Sequence, residues 1–446
     1  MTKKISRRQF LKGTALASAG GITGFPTIIP GRALGLDGAV APSNRVVMGC
    51  IGVGGQGTGN MQAFLNQPEV QVVAVCDVDA NHKARAKKIV QDFYAQQGKS
   101  AGGDGCAEYR DFREVTARQD IDAVSIGTPD HWHGLITIAA AESGKDIYCE
   151  KPLVNTIAEG IAVRKAVQRY GRILQNGTHE RSRHSVRFAC ELVRNGRIGK
   201  LHTIQINMPN SDPHHLEIIN NENIFPNMPV PENLDYDMWL GPTPWVPYTE
   251  RRCHFWWRFI FNYGGGEMTD RGAHIIDIGQ LGNGTDHTGP VELRANGEAP
   301  KSGLYDAYMK YDFECTYANG VKMIGASVDP RGLKFIGDEG WIFIHIHGGM
   351  LEAEPASLLQ ETLRPEEVHL GRSPGHHRNF LDAVKTRNQP MASVEIGHRT
   401  ATICHLLNIA MLTKSPIRWD PEKEEILNNP EAQRLLARSM RSPWYM

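Results

Sequence analysis

Asp270 and His274 stand four residues apart in a glycine-rich stretch near the middle of the chain. On a helix, that spacing places both side chains on one face. A carboxylate beside an imidazole orients the ring and raises its pKa, which suits a general base. The same spacing is also common in plain ion pairs on helix surfaces, so the pair alone leaves both interpretations open.

Two further polar stretches each follow an apolar run that is predicted to be a buried strand. Glu150-Lys151-Pro152 follows residues 146–149, and Thr128 to His133, which includes Pro129, follows residues 121–127. Ligands of open α/β sheets bind at the carboxyl ends of the strands, so both stretches are expected at one edge. Lys151 can hydrogen-bond a substrate oxygen there. The alternatives are a solvated lysine and, for Asp130, a helix cap.

The elements that must position these groups begin at a glycine turn. Gly52, Gly54 and Gly57 lie between predicted strands 45–51 and 70–76, and a helix is predicted from Thr58 to Asn66. Such glycines let the backbone approach a pyrophosphate at the N-terminus of the helix. This strand–turn–helix–strand order predicts a nicotinamide dinucleotide fold.

Asp77, at the end of the second strand, is twenty residues beyond Gly57. A carboxylate at this point accepts hydrogen bonds from the adenine ribose. Asp77 and the nearby Asp79 would repel a 2′-phosphate, and no arginine directly follows Asp77. The predicted cofactor is therefore NAD, with NADP less favoured.

Strand and helix patterns alternate from residue 45 to about 177, which predicts a parallel sheet with helices on both faces. Residues 202–208, 308–317, 321–327 and 341–347 alternate apolar and polar side chains, as half-buried antiparallel strands do. The predicted fold is an α/β Rossmann dinucleotide-binding domain, residues 42–177, followed by an α+β domain with a large, mostly antiparallel open sheet, residues 178–446.

Several segments have less regular patterns. The predictions are a mobile glycine-rich insertion at 95–106, a long ordered loop or lid at 210–247, closing helices at 376–386 and 397–413, and a polar helical tail at 420–441.

The N-terminus carries Ser6-Arg7-Arg8-Gln9-Phe10-Leu11-Lys12, a twin-arginine export pattern, followed by a weakly apolar stretch. Residues 1–41 are therefore predicted to be a signal segment that routes the folded protein to the periplasm. Lys plus Arg and Asp plus Glu each number 49, so no nucleic-acid partner is expected. No stable membrane span is expected either, because no later segment is apolar for long enough. The eight cysteines lack C-x-x-C spacing, and no disulfide is needed; Cys50, Cys76 and Cys149, at predicted strand positions, are expected to be buried thiols.

Together, Glu150-Lys151-Pro152 and Asp270-x-x-x-His274 resemble the Gfo/Idh/MocA oxidoreductases, over essentially all of the chain after the signal. The resemblance implies that Lys151, Asp270 and His274 are the catalytic group. It places Thr128, Pro129 and His133 beside the nicotinamide, and it makes Asp277 a structural acid. It also implies a substrate face or an oligomer contact on the open sheet.

Other candidate groups carry two interpretations each. The aromatic run from His254 to Phe259, with Tyr263, is either a stacking platform for sugar or ordinary core. Arg258 and Tyr263 are the candidates for substrate contact. The pairs His214-His215 and His376-His377, and His345-x-His347, lack a full ligand set, so no metal site is predicted.

The expected activity is hydride transfer between a sugar hydroxyl carbon and a tightly bound nicotinamide, with His274 as base and Lys151 stabilising the oxygen. The alternatives are a redox-neutral glycosidase or lyase that works through a keto-sugar, and a non-catalytic sugar-binding protein. A homodimer or homotetramer through the second sheet is expected, because Ile342, Ile344 and Ile346 alternate with Phe343, His345 and His347.

Overall fold

The computed structural model describes residues 44–97 and 105–446, and the chain from Val46 to Met446 forms one compact unit. The signal segment and most of the predicted insertion at 95–106 lie outside the described residues. Within the described residues, no helix is both long and apolar enough to cross a membrane. All eight cysteines are buried and free.

The first sheet has six parallel strands in the order β3-β2-β1-β4-β5-β6 in the described chain. Its strands are β1 Val46–Ile51, β2 Val70–Cys76, β3 Ala107–Tyr109, β4 Ala123–Ile126, β5 Asp146–Cys149 and β6 Leu174–Asn176. Its helices are α1 Gly55–Leu65, α2 Ala80–Gln96, α3 Phe112–Thr116, α4 Asp130–Glu142 and α5 Ile157–Arg169. This is the predicted Rossmann arrangement.

The second sheet has nine strands in the described chain, in the order β13-β12-β11-β7-β10-β9-β8-β14-β15. Only the neighbours β7 and β10 run parallel among its described pairings. Its strands are β7 Leu201–Asn207, β8 Pro290–Glu298, β9 Lys310–Tyr317, β10 Lys322–Ala326, β11 Gly332–Gly337, β12 Trp341–His345, β13 Leu351–Glu354, β14 Ile417–Asp420 and β15 Glu425–Ile426. The predicted large, mostly antiparallel sheet is thereby confirmed.

The remaining helices connect or cover the two sheets. They are α6 His184–Arg194, α7 Pro213–Asn220, α8 Tyr236–Leu240, α9 Glu267–Asp270, α10 Gly272–Asn283, α11 His376–Thr386, α12 Val394–Thr413 and α13 Pro430–Arg434. One apolar face of the second sheet packs against α6, α10 and α12 in a single continuous core. That packing fixes the end of α9 and the start of α10 at the junction between the two sheets.

Three local predictions were wrong. The first helix starts at Gly55 rather than Thr58, because the glycine turn is tighter than the pattern indicated. Segment 210–247 contains the helices α7 and α8. The tail at 420–441 holds β15 and only the short α13, because its apolar residues Ile426, Ala432 and Leu436 anchor it to the core at single points.

The open face of the second sheet is more polar than the oligomer prediction assumed. Exposed or half-buried charged side chains alternate there with the core residues, and Lys322 pairs with Glu314 at 3.2 Å. Phe343 is nevertheless buried, and the Lys334 amino group lies 3.6 Å from the centre of the Trp341 ring. The oligomeric state stays a prediction.

Candidate active site

A cavity of about 350 Å³ lies over the carboxyl edge of the first sheet and reaches α9. It brings together most of the residues that the sequence singled out. Those lining it are Gly52, Gly54, Asp77, Thr128, Pro129, Glu150, Lys151, Arg258 and Asp270. The order of the parallel strands explains the convergence, because β1, β2, β4 and β5 all end at this edge.

The glycine turn is held by Asp77. The amide of Val53 donates to Asp77 Oδ2 at 2.8 Å, and the amide of Asp79 donates to Oδ1 at 2.9 Å. A carboxylate has about four acceptor positions, so both oxygens can still accept a ribose hydroxyl. Asp77 therefore has a structural task besides the predicted contact with ribose.

The residues of the turn fit a dinucleotide. The N-terminus of α1 has no side-chain cap, so its first amides are available to a phosphate. A Cβ on Gly55 would meet nothing within 4 Å, which leaves room at the backbone for a ligand. A Cβ on Gly57 would lie 1.8 Å from the Gly52 carbonyl oxygen. Gly57 is thus needed for close packing of the turn rather than for lining the cavity.

Glu150 anchors the stretch that carries Lys151. Its Oε1 accepts a hydrogen bond of 2.8 Å from the Asn60 side chain on α1, and Oε2 accepts one of 3.3 Å from the Lys151 amide. The side chain is buried beside the glycine turn. Glu150 therefore ties the end of β5 to the dinucleotide side of the cavity.

Lys151 reaches across the cavity to Asp270. Its Nζ donates to the Asp270 carboxylate and, at 3.1 Å, to the Asp270 carbonyl oxygen. Arg258 Nε lies 3.6 Å from the same carboxylate. Burial alone would raise the pKa of Asp270, but the charges of Lys151 and Arg258 hold that pKa well below its usual range. Asp270 is an anion that holds Lys151 and Arg258 at the α9 end of the cavity.

His274 does not form the predicted pair with Asp270. The helix breaks at Arg271, between α9 and α10, and the Asp270 carboxylate turns to Lys151. Burial, with the positive charge of Lys151, lowers the pKa of His274 well below its ordinary value, opposite to the predicted rise. A neutral imidazole is nevertheless the form that a general base requires.

Two other predicted residues, His133 and Tyr263, do not line the cavity. His133 is buried, with Nδ1 2.7 Å from the Pro152 carbonyl oxygen and Nε2 2.9 Å from that of Thr128. It thereby braces the two strand ends that flank Lys151. Tyr263 is 1% exposed and packs edge-on against Trp239 at 4.9 Å, so its ring belongs to the core.

The resemblance made Asp277 structural, and its surroundings fit that role. It is fully buried on α10, where its Oδ2 accepts from Arg181 Nε at 2.6 Å. Its Oδ1 accepts from Arg181 and from the Thr400 hydroxyl. The ion pair joins the segment after β6 to α10 and α12.

The aromatic run divides between cavity and core. Phe255 is 43% exposed and Trp257 is nearly buried, and both line the cavity, whereas Phe259 is fully buried. The Arg258 guanidinium lies 4.5 Å from the Trp257 ring and 5.1 Å from the Phe255 ring. Such stacking fixes Arg258 toward Asp270.

Segment 210–247, for which the sequence left open a lid or a long connecting loop, forms one wall of the cavity. Its residues Leu234, Met238 and Trp239 are among those that line the cavity. The Asn233 amide group donates to Asp79 Oδ1 at 3.0 Å, and Leu234 forms an isolated bridge with Asp79. The segment is thus docked on the end of β2. Its aromatic and apolar content was the signal, but no local pattern indicated which surface it would cover.

Family models match almost the whole described chain. The NAD-binding Rossmann fold of an oxidoreductase family matches residues 46–178, and the C-terminal alpha/beta domain of that family matches residues 183–446. The chain belongs to the Gfo/Idh/MocA oxidoreductase family. A twin-arginine translocation signal matches residues 4–24, which supports export of this family member from the cytoplasm.

Curated relatives match only part of the chain. A "Glycosyl hydrolase family 109 protein" of Shewanella pealeana is 29% identical over 210 residues, which is 44% of each protein. An "Alpha-N-acetylgalactosaminidase" of Shewanella oneidensis is 30% identical over 214 residues, again 44% of each. The matched region spans less than half the length of these relatives.

Solved structures share the fold over most of the chain. The aldose-aldose oxidoreductase of Caulobacter crescentus is 18% identical with a TM-score of 0.59, covering 84% of this chain and 99% of the other. A levoglucosan dehydrogenase in complex with NADH and levoglucosan is 19% identical with a TM-score of 0.59, covering 84% and 98%. At these identities the likeness establishes the fold.

Proposed function

We propose that the chain is an exported NAD-dependent oxidoreductase that transfers a hydride between the hydroxyl carbon of a sugar or sugar derivative and a tightly bound nicotinamide. The observation that carries the proposal is the contact between Lys151 and Asp270 inside the cavity that begins at the glycine turn. This contact connects the sheet edge where a dinucleotide would bind to a group that can donate or accept the proton of a hydroxyl.

Gly52, Gly54, Asp77, Thr128 and Pro129 would hold the dinucleotide, which supplies the hydride acceptor and donor when bound. Its 2′-hydroxyl would face Asp77, and the carboxylates of Asp77 and Asp79 at this end of the cavity favour NAD over a phosphorylated form.

The remaining groups would remove the hydroxyl proton and stabilise the oxygen. His274, whose pKa is lowered by burial and by the charge of Lys151, is the proposed base for the sugar hydroxyl, although it does not itself line the cavity in the described chain. Lys151 donates a hydrogen bond to the same oxygen and stabilises its developing negative charge. Asp270 keeps Lys151 in place, and Arg258 offers a further donor at the substrate side.

Export constrains how the cofactor is used. The periplasm supplies no free dinucleotide, so the exported protein would retain its NAD and regenerate it in place. Paired oxidation and reduction of two sugars meets that requirement. A redox-neutral reaction also meets it, in which the sugar is oxidised, loses a substituent and is reduced again. The glycosidase names of the curated relatives favour this second candidate.

Mass spectrometry of the dinucleotide released on denaturation tests the first part of the proposal. NAD or NADH is expected; mainly the phosphorylated form would show that Asp77 does not set the cofactor, and no dinucleotide would favour the sugar-binding alternative.

The net reaction is tested by incubating the purified protein with paired sugars and with glycosides, including an α-N-acetylgalactosaminide. Exchange of oxidation state between two sugars supports the oxidoreductase. Cleavage of a glycoside without net redox change supports the redox-neutral candidate. Lys151→Ala is the control that should abolish either activity.

A further inference from the structure

We propose that His179, Glu180 and His347 form a binding site for a divalent first-row transition-metal ion such as Zn²⁺, beside His274. The proposed hydride transfer requires no metal, so this inference goes beyond it. His179 and Glu180 begin the 3₁₀ helix His179–Ser182 that follows β6. His347 follows β12 of the second sheet, so the site would span the two sheets.

The ligand atoms already have the spacing of a metal site. His179 Nε2 lies 3.2 Å from Glu180 Oε1, and His347 Nδ1 lies 3.5 Å from the same oxygen. One ligand atom from each of the three residues lies within 4.8 Å of the others. Zinc bonds of roughly 2.0–2.2 Å at tetrahedral angles separate neighbouring ligand atoms by about 3.3–3.5 Å. Small movements of the two rings would therefore complete the coordination.

An unsatisfied buried group supports the proposed site. The Glu180 side chain is fully buried, and its Oε2 has no hydrogen-bond partner among the described residues. A buried carboxylate oxygen without a donor is unfavourable, and a cation bound by both oxygens of the Glu180 carboxylate would satisfy Oε2. Arg183 Nε donates to Oε1 at 2.9 Å and orients the carboxylate, as groups around metal ligands commonly do.

The site is accessible and has an open side. The side chains of His179 and His347 are 39% and 37% exposed, so an ion can enter from solvent. Two imidazoles and one carboxylate fill three positions of a tetrahedral zinc site. The ring of His274 lies 4.7 Å from that of His179 and 5.0 Å from that of His347, and its buried Nδ1 has no partner in the described chain. The fourth position would therefore be next to the proposed base.

Two other groups of similar composition are weaker candidates. In Asp79–His82–His254, Asp79 Oδ1 accepts from the Asn81 amide and the Asn233 side chain. In Asp212–His214–His215, the carboxylate binds Arg271 and Arg331. Neither aspartate offers a buried oxygen without a partner. The predicted pair His345-x-His347 is not a site either, because His345 binds Glu352 at 2.6 Å.

The test measures metal uptake by the full-length protein after removal of metal with a chelator. Calorimetric titration with Zn²⁺ should give saturable binding of one equivalent, confirmed by elemental analysis after dialysis, and Zn²⁺ should raise the melting temperature. His347→Ala and Glu180→Gln should each weaken binding at least about tenfold, the scale seen even when a supporting group is removed. His345→Ala, a histidine two residues away that binds Glu352, should bind Zn²⁺ like the wild type.

His347→Ala changes a half-exposed side chain, so it should fold even where Glu180→Gln does not. Absence of saturable uptake of both Zn²⁺ and Co²⁺ would overturn the proposal. Uptake that is equal in the wild type and in His347→Ala would also overturn it, because the ion would then be bound elsewhere. Bound dinucleotide is measured in the same samples, so failure of the metal site is distinguishable from failure of the proposed function.

Discussion

The dinucleotide end of the cavity is built mainly from one stretch of chain, Gly52 to Asp79, in which backbone amides and carboxylates hold each other, with Thr128, Pro129 and Glu150 beside it. The proposed substrate end is assembled from Lys151, Arg258 and Asp270, and segment 233–239 forms a side wall of the cavity. Most contacts of the first end lie within that one stretch of chain. The second depends on how the two sheets pack, so variants at the two ends should fail in different ways.

The largest expected effect is at the substrate end. Lys151→Ala and His274→Ala should each lower turnover by at least about two powers of ten, the usual scale for a positioned proton-transfer group. His274→Ala should retain its dinucleotide, because His274 does not line the cavity in the described chain. Steady-state kinetics and the absorbance of released cofactor measure both.

His202→Ala, an exposed histidine on β7, is the matched control and should behave like the wild type. Normal turnover by His274→Ala on a confirmed substrate would remove His274 from the proposed mechanism.

At the dinucleotide end, substitutions should act by displacing the backbone of the glycine turn. Gly57→Ala would place a Cβ 1.8 Å from the Gly52 carbonyl oxygen. Overpacking of this kind costs about 1–3 kcal/mol of unfolding free energy and should disrupt the turn, so both the melting temperature and the bound dinucleotide should fall. Gly55→Ala meets no protein atom within 4 Å and should leave the melting temperature nearly unchanged.

The informative result for Gly55→Ala is its cofactor content. Less bound dinucleotide at an unchanged melting temperature would show that a ligand approaches the backbone there. Equal destabilisation by both glycine variants would contradict the distinction between packing and ligand contact.

The same contrast explains what the sequence could predict. The glycine spacing, Asp77 and the strand ends at Thr128 and Glu150 follow rules that connect neighbouring residues, and the first sheet was predicted almost strand by strand. The direction of the Asp270 carboxylate was mispredicted, because its partner Lys151 is over a hundred residues away. His179 follows β6 as Thr128 follows β4, so the strand-end rule could have found it. Its neighbour His347 depends on tertiary packing alone.

A smaller effect should separate the two predicted substrate residues. Arg258 lines the cavity, whereas Tyr263 is buried. Arg258→Ala should raise KM about tenfold or more, since a hydrogen bond to a charged group contributes roughly 1.5–3 kcal/mol. Tyr263→Phe keeps the ring and its packing, so KM should change little. If Tyr263→Phe raised KM more than Arg258→Ala does, the substrate would bind on the Tyr263 side of the cavity wall rather than beside Arg258.

The smallest effect concerns the contact surface between the Rossmann domain and the second domain, here called the seam. Glu424 accepts hydrogen bonds from Arg164 on α5 and lies 2.5 Å from His398 on α12. Burial alone would raise the pKa of Glu424, but the contacts with His398 and Arg164 lower that pKa from 4.5 to about 2. A carboxyl group with a depressed folded-state pKa stabilises the protein above its unfolded-state pKa. That contribution is lost as the pH falls through the folded-state value.

Urea unfolding of the wild type and of Glu424→Gln between pH 6 and pH 2 should therefore show a stability difference that is constant above about pH 4.5 and shrinks toward pH 2. The dinucleotide end should be untouched, because Glu424 does not line the cavity in the described chain. A difference that grows on acidification would mean that the carboxyl is protonated in the folded protein, and the seam would then be held by packing rather than by charge.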